Sequence, residues 1–287
     1  VSVRHCRGPT RVLHRVAMII PIDDASDPRI AFFVGLKDHQ LRMERERSDP
    51  ALQPLFIAEG DRLIRKALRR GLALTAILRD TTRRSDVEDE ITPDVPVFTV
   101  DPDVARSITG MWIHRWTLGA FQRPPPLELD EVVRPDTRSV LAAENVINPT
   151  NLGAMVRSAV GLGVEALVVD ESSCDPLYRR SLRVAMGAAL EVAWTRVPSL
   201  VPTLKELSSR GFHIVALEQS ASSADLRLLP SMPRAVLVVG NEGFGISESI
   251  LTVADHVASI PMSGGVESLN VTAAAAIACW ELNHKLG

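Results

Sequence analysis

From residue 138 onward the chain alternates short, almost unbroken apolar runs with amphipathic segments, and few folds accept that pattern. Apolar runs fall at 138–146 (RSVLAAENV), 165–170 (EALVVD), 190–197 (LEVAWTRV), 212–218 (FHIVALE), 234–240 (RAVLVVG) and 256–262 (HVASIPM). Between them helices are expected over 151–163, 176–188 and 200–211, with a short one after Gly245 and a long final one from Val271. Strands that are apolar on both faces, separated by helices, predict a parallel sheet covered on both sides. In such a sheet ligands sit outside the carboxyl ends of the strands. That directs attention to the loops at 145–151, 240–247 and 261–270.

The first half has a smaller α/β pattern. Strands are expected at 54–60, 74–80 and 95–100, and helices at 61–71 and 102–109, the second ending at Gly110. Prolines 124–126 favour an extended chain. The expected division is therefore an N-terminal extension (1–25), a first domain (26–126), a linker (127–135) and a second domain (136–287). The extension is arginine-rich and has no acid before Asp23. Its apolar run, Val16 to Ile22, is short for a signal-peptide core and lacks a cleavage site. A transit peptide and a misassigned start, with Met18 nearer the true beginning, both remain open readings, and residues 1–25 are set aside from the fold.

With 287 residues and 46% hydrophobic content the chain has ample material for two cores, and no apolar run reaches membrane-spanning length. Its three cysteines, Cys6, Cys174 and Cys279, are far apart and form no C-x-x-C, which argues against a disulfide framework or zinc site and suits a reducing cytoplasm. The seven histidines have no metal-ligand spacing. Net charge is −3, unevenly spread: residues 1–126 hold 20 Lys and Arg against 17 Asp and Glu, the remainder 12 against 18. Arg62, Arg65, Lys66, Arg69 and Arg70 crowd one short helix. That cluster reads either as a solvated helix face, the commoner case, or as a footprint for an RNA backbone.

Two glycine motifs mislead. Gly161 to Ala166 (GLGVEA) matches a dinucleotide fingerprint but closes a helix and opens a strand, the reverse of what phosphate binding needs. Gly240 to Ser247 (GNEGFGIS) has P-loop spacing after a strand, but Ile246 stands where the phosphate-binding lysine belongs. Asn151 can cap the helix from Leu152, and Asn270 the helix from Val271. Arg157 lies about two turns into the first of these helices. Taken singly, each such residue is more often structural than functional.

Taken together they form an ordered set. The post-strand loops read Asn-Pro-x-Asn-x-Gly-(x)3-Arg, then Gly-Asn-Glu-Gly-x-Gly, then Ile-Pro-Met-x-Gly-x-x-Glu-Ser-Leu-Asn-Val. This resembles the three-motif signature of the SpoU (TrmH-like) family of RNA ribose 2′-O-methyltransferases, of the SPOUT class, over residues 140–285. The first half resembles, more loosely, a small RNA-binding domain of ribosomal-protein type.

The resemblance implies an α/β fold: a C-terminal parallel-sheet domain threaded into a trefoil knot, with the smaller α/β RNA-binding domain before it. General chain rules make knots very rare, so only the resemblance licenses that expectation. It further implies S-adenosylmethionine held in the knot, largely by backbone groups, at Gly240, Asn241, Gly243, Ile260, Met262, Ser268 and Leu269. Asn151, Arg157, Glu242, Ser268 and Asn270 match the catalytic positions, with no metal required. Arg157 is the implied base or orienting group. A guanidinium keeps its proton to above about pH 12, which favours orientation. The implied partners are RNA, with ribosomal RNA favoured over tRNA, and a second copy packed through the knot region. The rival readings are a tRNA methyltransferase, a non-catalytic RNA-binding protein of the same fold, and a nucleotide-binding module, which Ile246 disfavours.

Overall fold

The computed structural model describes residues 18–34, 54–82, 84–109, 117–263, 265 and 268–286. Residues 1–17, Gly110, and the motif residues Gly264 and Glu267 lie outside this set. Two sheets organise the chain. The first has five strands, β1 (Met18–Ile22), β2 (Leu55–Glu59), β3 (Leu74–Asp80), β4 (Pro96–Val100) and β5 (Thr117–Gln122), in the order β1-β4-β3-β5-β2. β1, β4 and β3 run parallel, while β5 is antiparallel to both β3 and β2. Helices α1 (Asp61–Arg69) and α2 (Pro102–Thr109) complete this layer.

Two of these strands depart from the sequence reading. Met18–Ile22, set aside with the extension, forms an edge strand beside β4, with Ile22 buried. Thr117–Gln122 carried no assignment because Gly119 breaks its apolar run. Glycine in a strand marks close approach: a Cβ on Gly119 would lie 2.9 Å from Ile64 Cγ1, so its absence lets α1 settle on the sheet.

The second sheet has seven parallel strands, β6 (Ser139–Ala143), β7 (Ala166–Asp170), β8 (Ala193–Val197), β9 (His213–Leu217), β10 (Ala224–Asp225), β11 (Ala235–Val239) and β12 (His256–Ser259). Their order is β10-β12-β9-β11-β6-β7-β8. The helices are α3 (Leu129–Val132), α4 (Pro149–Gly161), α5 (Arg179–Val184), α6 (Leu200–Ser209), α7 (Glu248–Leu251) and α8 (Val271–Lys285). The unbroken apolar strands now have their cause. Along β11, Ala235, Leu237 and Val239 enter one core cluster while Val236 and Val238 enter the opposite one. β6 and β7 divide in the same way. Side chains alternate across a strand, so a sheet buried on both faces needs an apolar residue at every position.

One of these clusters continues into the first sheet, taking in Phe56, Leu63, Ile64, Ala67 and Phe121. Charged groups reinforce the junction. Arg183 Nη1 lies 2.9 Å from Glu59 Oε1, Lys66 Nζ lies 3.6 Å from Glu191, and Arg70 Nε donates to Leu190 O at 2.7 Å. With Arg65 held by Glu90 at 2.6 Å, three cations of the basic helix serve the fold. Arg62 and Arg69 are the two exposed ones with no partner among the described residues. Three of the five cations thus pair within the fold, a role that neither reading of the sequence assigned them.

Candidate active site

Three loops leave the carboxyl ends of β6, β11 and β12 on one edge of the parallel sheet. The first leads into α4, whose start differs from the sequence reading. The cap is Asn148, whose Oδ1 accepts from Thr150 N at 2.9 Å, and Pro149 opens the helix. Proline suits that first position because its missing N–H has no helical partner there. Asn151 therefore sits inside the first turn with its amide free to reach outward. Its Nδ2 donates to Glu242 Oε1 at 2.6 Å, and its Oδ1 accepts from Asn270 Nδ2 at 3.3 Å. Asn270 caps α8 as expected, Oδ1 accepting from Thr272 N at 3.0 Å, and Thr272 Oγ1 donates to Asn151 O at 3.3 Å. Each loop contributes one member to this chain of side chains.

The second loop is closed on itself. Asn241 and Gly245 exchange backbone hydrogen bonds of 3.1 and 2.9 Å, and Asn241 Oδ1 accepts from Gly243 N at 2.8 Å and Phe244 N at 3.1 Å. Gly240 is obligatory here: a Cβ would fall on the carbonyl of Gly245, 2.5 Å from its carbon and 2.7 Å from Ile246 N. The loop is also tied to its neighbours. Asn241 Nδ2 donates to Asn145 O at 2.8 Å, and Glu144 accepts from Ser247 N and Oγ at 2.8 and 2.6 Å. Glu218 Oε2 accepts from Ile246 N at 2.7 Å.

Between the loops lies a cleft of about 840 Å³. Gly240, Asn241, Glu242, Gly243, Ile260, Met262, Ser268, Leu269 and Asn270 all line it. Asn151 borders it through Glu242 and Asn270. Arg157 is apart from this set: it does not line the cleft, is exposed on α4, and has no hydrogen bond or ion pair among the described residues. Six residues separate it from Asn151, which turns it roughly 120° away around the helix. Gly153, within the same motif, is a packing residue, since a Cβ there would strike the backbone of Ser181 on α5.

The sequence reading missed the loop after β9, where Leu217, Glu218 and Gln219 form another wall of the cleft. The available signal was position: β9 ends on the same edge as the other three strands. Among the described residues the lining carries two carboxylates, Glu218 and Glu242, and neither lysine nor arginine. Apolar Leu217, Val239, Ile260 and Leu269 share it with exposed loop backbone. Such a recess favours a cationic, partly apolar ligand of drug-like size. Neither Cys174 nor Cys279 can serve as a nucleophile, because burial pushes both thiols up to about 12. Among the described residues no group of three His, Cys, Asp or Glu side chains could hold a metal, and no helix is long and apolar enough to cross a membrane. A second cleft, of about 920 Å³, lies between the two sheets beside Trp194 and Arg123 and contains none of the motif residues.

Known proteins place this geometry in a family. The profile of the SpoU rRNA methylase family matches residues 138–280. An uncharacterised tRNA/rRNA methyltransferase of Mycobacterium bovis is 33% identical over 262 residues, covering 90% of this chain and 89% of that protein. The 23S rRNA (guanosine(2553)-2′-O)-methyltransferase RlmP of Bacillus subtilis is 28% identical, covering 79% of this chain and 88% of its own. The crystal structure of the SpoU methyltransferase AviRb from Streptomyces viridochromogenes, in complex with the cofactor AdoMet, matches with a TM-score of 0.73 at 25% identity over 90% of this chain and 98% of that one. With its three motif loops gathered at one cleft and these likenesses along most of its length, the chain belongs to the SpoU methylase family.

Proposed function

We propose that the protein transfers a methyl group from S-adenosylmethionine to a ribose 2′-hydroxyl in RNA. The observation that carries this reading is the convergence of Asn151, Glu242 and Asn270, from three separate post-strand loops, at the mouth of an acidic cleft lined by loop backbone. The cleft fits the methyl donor. Gly240 lets the loop close against Gly245 and Ile246 so that its backbone lines the cleft, and Glu218 and Glu242 give the cleft the sign that suits a sulfonium cation. Gly240, Asn241, Gly243, Ile260, Met262, Ser268 and Leu269 would hold the donor, which when bound supplies an electrophilic methyl group.

The chain's own residues then have defined tasks. Glu242 fixes the Asn151 amide, so that Asn151 and Asn270 form a rigid edge against which the ribose is oriented. Ser268, exposed on the cleft wall, offers a hydroxyl to the same sugar. A 2′-hydroxyl is a weak nucleophile, so alignment with the methyl group provides most of the acceleration. We assign Arg157 to orientation through an RNA phosphate, consistent with its unpaired, outward position.

We extend the reading to the rest of the architecture. We keep a trefoil knot in the C-terminal segment as what the likeness to this family implies. A homodimer packed through this region is supported by Ile277 and Trp280, both exposed on α8, the helix packed against α4. It would also bring a partner surface toward Arg157. We take residues 26–126 as a ribosomal-protein-type RNA-binding domain, 127–135 as linker and 136–287 as the catalytic domain, acting in the cytoplasm. Ribosomal RNA is favoured over tRNA by the presence of that first domain and by the relative named for 23S rRNA. A purely RNA-binding role would leave the Asn151–Glu242–Asn270 arrangement without a purpose.

Titration calorimetry and methyl incorporation test this together. The protein is expected to bind S-adenosylmethionine, and Arg157→Ala to keep that affinity while losing about 100-fold or more in transfer. Absence of binding heat at millimolar donor overturns the activity, and a fully active Arg157→Ala overturns the role of that residue. Mapping of 2′-O-methyl sites in cells with and without the gene identifies the RNA.

A further inference from the structure

Phe244 is 90% exposed at the rim of the cleft, whereas Phe33, Phe56, Phe98, Phe121 and Phe212 are buried. The exposure does not arise from a loose loop. Phe244 N donates to Asn241 Oδ1 at 3.1 Å, and the Asn241–Gly245 backbone pair closes on either side of it. The next residue, Gly245, has φ +70 and abuts the Glu218 carboxylate, which fixes the turn that carries the ring outward. Glu242, two residues earlier, is the acceptor for Asn151. A large aromatic ring is therefore held in solvent by a fastened backbone, beside the group that positions the ribose. Ile147, 60% exposed, presents a second apolar side chain on the loop tied to this one through Asn241 and Asn145.

We propose that Phe244 is the stacking surface for the unpaired base of the nucleotide whose ribose is methylated. The inference rests on the methyltransferase reading above and names how its substrate is held. A recess walled by three loops admits the 2′-oxygen of a nucleotide splayed out in a loop, bulge or end. Its base then loses its neighbours, and an aromatic face compensates whatever the base is, because every base has a π-face. Phe has no hydrogen-bonding group, so it holds the base without selecting it. The choice of nucleotide is left to the remaining contacts.

The test uses the full-length protein, tritiated S-adenosylmethionine and unmodified ribosomal RNA and tRNA transcripts, with Phe244→Ala, Phe244→Leu and Phe244→Trp. Phe244→Ala and Phe244→Leu are expected to lower kcat/KM for RNA by about 10- to 100-fold, and Phe244→Trp to stay within about threefold of wild type. Donor affinity by calorimetry and molecular mass by light scattering are expected to be unchanged in all three. Full activity of Phe244→Leu overturns the stacking role, since any apolar side chain would then do. A loss of donor affinity matching the loss of activity assigns the ring to the donor pocket instead, and a changed mass assigns it to a subunit contact; either overturns the proposal. If wild-type protein methylates none of the transcripts, the methyltransferase reading fails first and the stacking role falls with it.

Discussion

Asn151 makes two side-chain hydrogen bonds of opposite sense. Its amide nitrogen faces Glu242, which as a carboxylate only accepts, and its amide oxygen faces the Asn270 nitrogen. The Asn270 oxygen is engaged by the α8 backbone, so neither amide can turn over without breaking a bond. Asn151→Asp puts a second carboxylate against Glu242. Two like charges then face each other, so the cost is full where both are ionised, at neutral pH, and shrinks as acid neutralises them. The pair is exposed, and the expected loss is about 1 kcal/mol at pH 8, shrinking toward pH 4, as measured by urea denaturation at both pH values. The order and spacing of these residues were legible in the sequence, but their contacts were not, because they join positions 91 and 119 residues apart. The sequence reading placed the cap at Asn151, three residues late. Pro149 was the overlooked signal, since the residue before a first-turn proline is the cap.

At the scale of elements, periodicity carried most of the information. Every strand expected in the parallel sheet is present, and β10, a two-residue pairing with β12, is the one not expected, having no pattern long enough to read. β5 was hidden by Gly119 and β1 by its resemblance to the core of a leader segment. The second motif loop permits a sharp comparison between glycines. Gly240→Ala drives a methyl group into loop backbone and is expected to weaken donor binding at least about 100-fold in calorimetry while lowering Tm. Gly161→Ala, at the end of α4 with open space where its Cβ would stand, is expected to raise stability by about 0.5 kcal/mol. Loss of donor binding in both variants would show that the cleft responds to helix stability rather than to the Gly240 contact.

At the scale of the molecule, the two sheets share one apolar cluster, and Glu59 crosses the junction to Arg183 and lies 3.9 Å from Arg179. The chain is therefore expected to unfold in a single calorimetric transition coincident with loss of circular dichroism. Glu59→Ala removes the hydrogen-bond acceptor of Arg183 and the carboxylate facing Arg179, and is expected to cost about 3 kcal/mol. Separate transitions for the two sheets in the wild type would contradict the shared cluster. The junction was not legible beforehand, because Lys66 and Arg70 read as solvated charge or, less commonly, as an RNA footprint, and neither reading places them against the second sheet. The bond from Asn270 to Asn151 has a consequence in time as well as in space. A nascent chain folds from its amino end, and this contact waits on a residue made 119 positions after its partner. The first sheet and most of the parallel sheet have their sequence in hand while the recess still lacks a wall. The recess is therefore completed only once Asn270 has emerged to meet an Asn151 made 119 positions earlier.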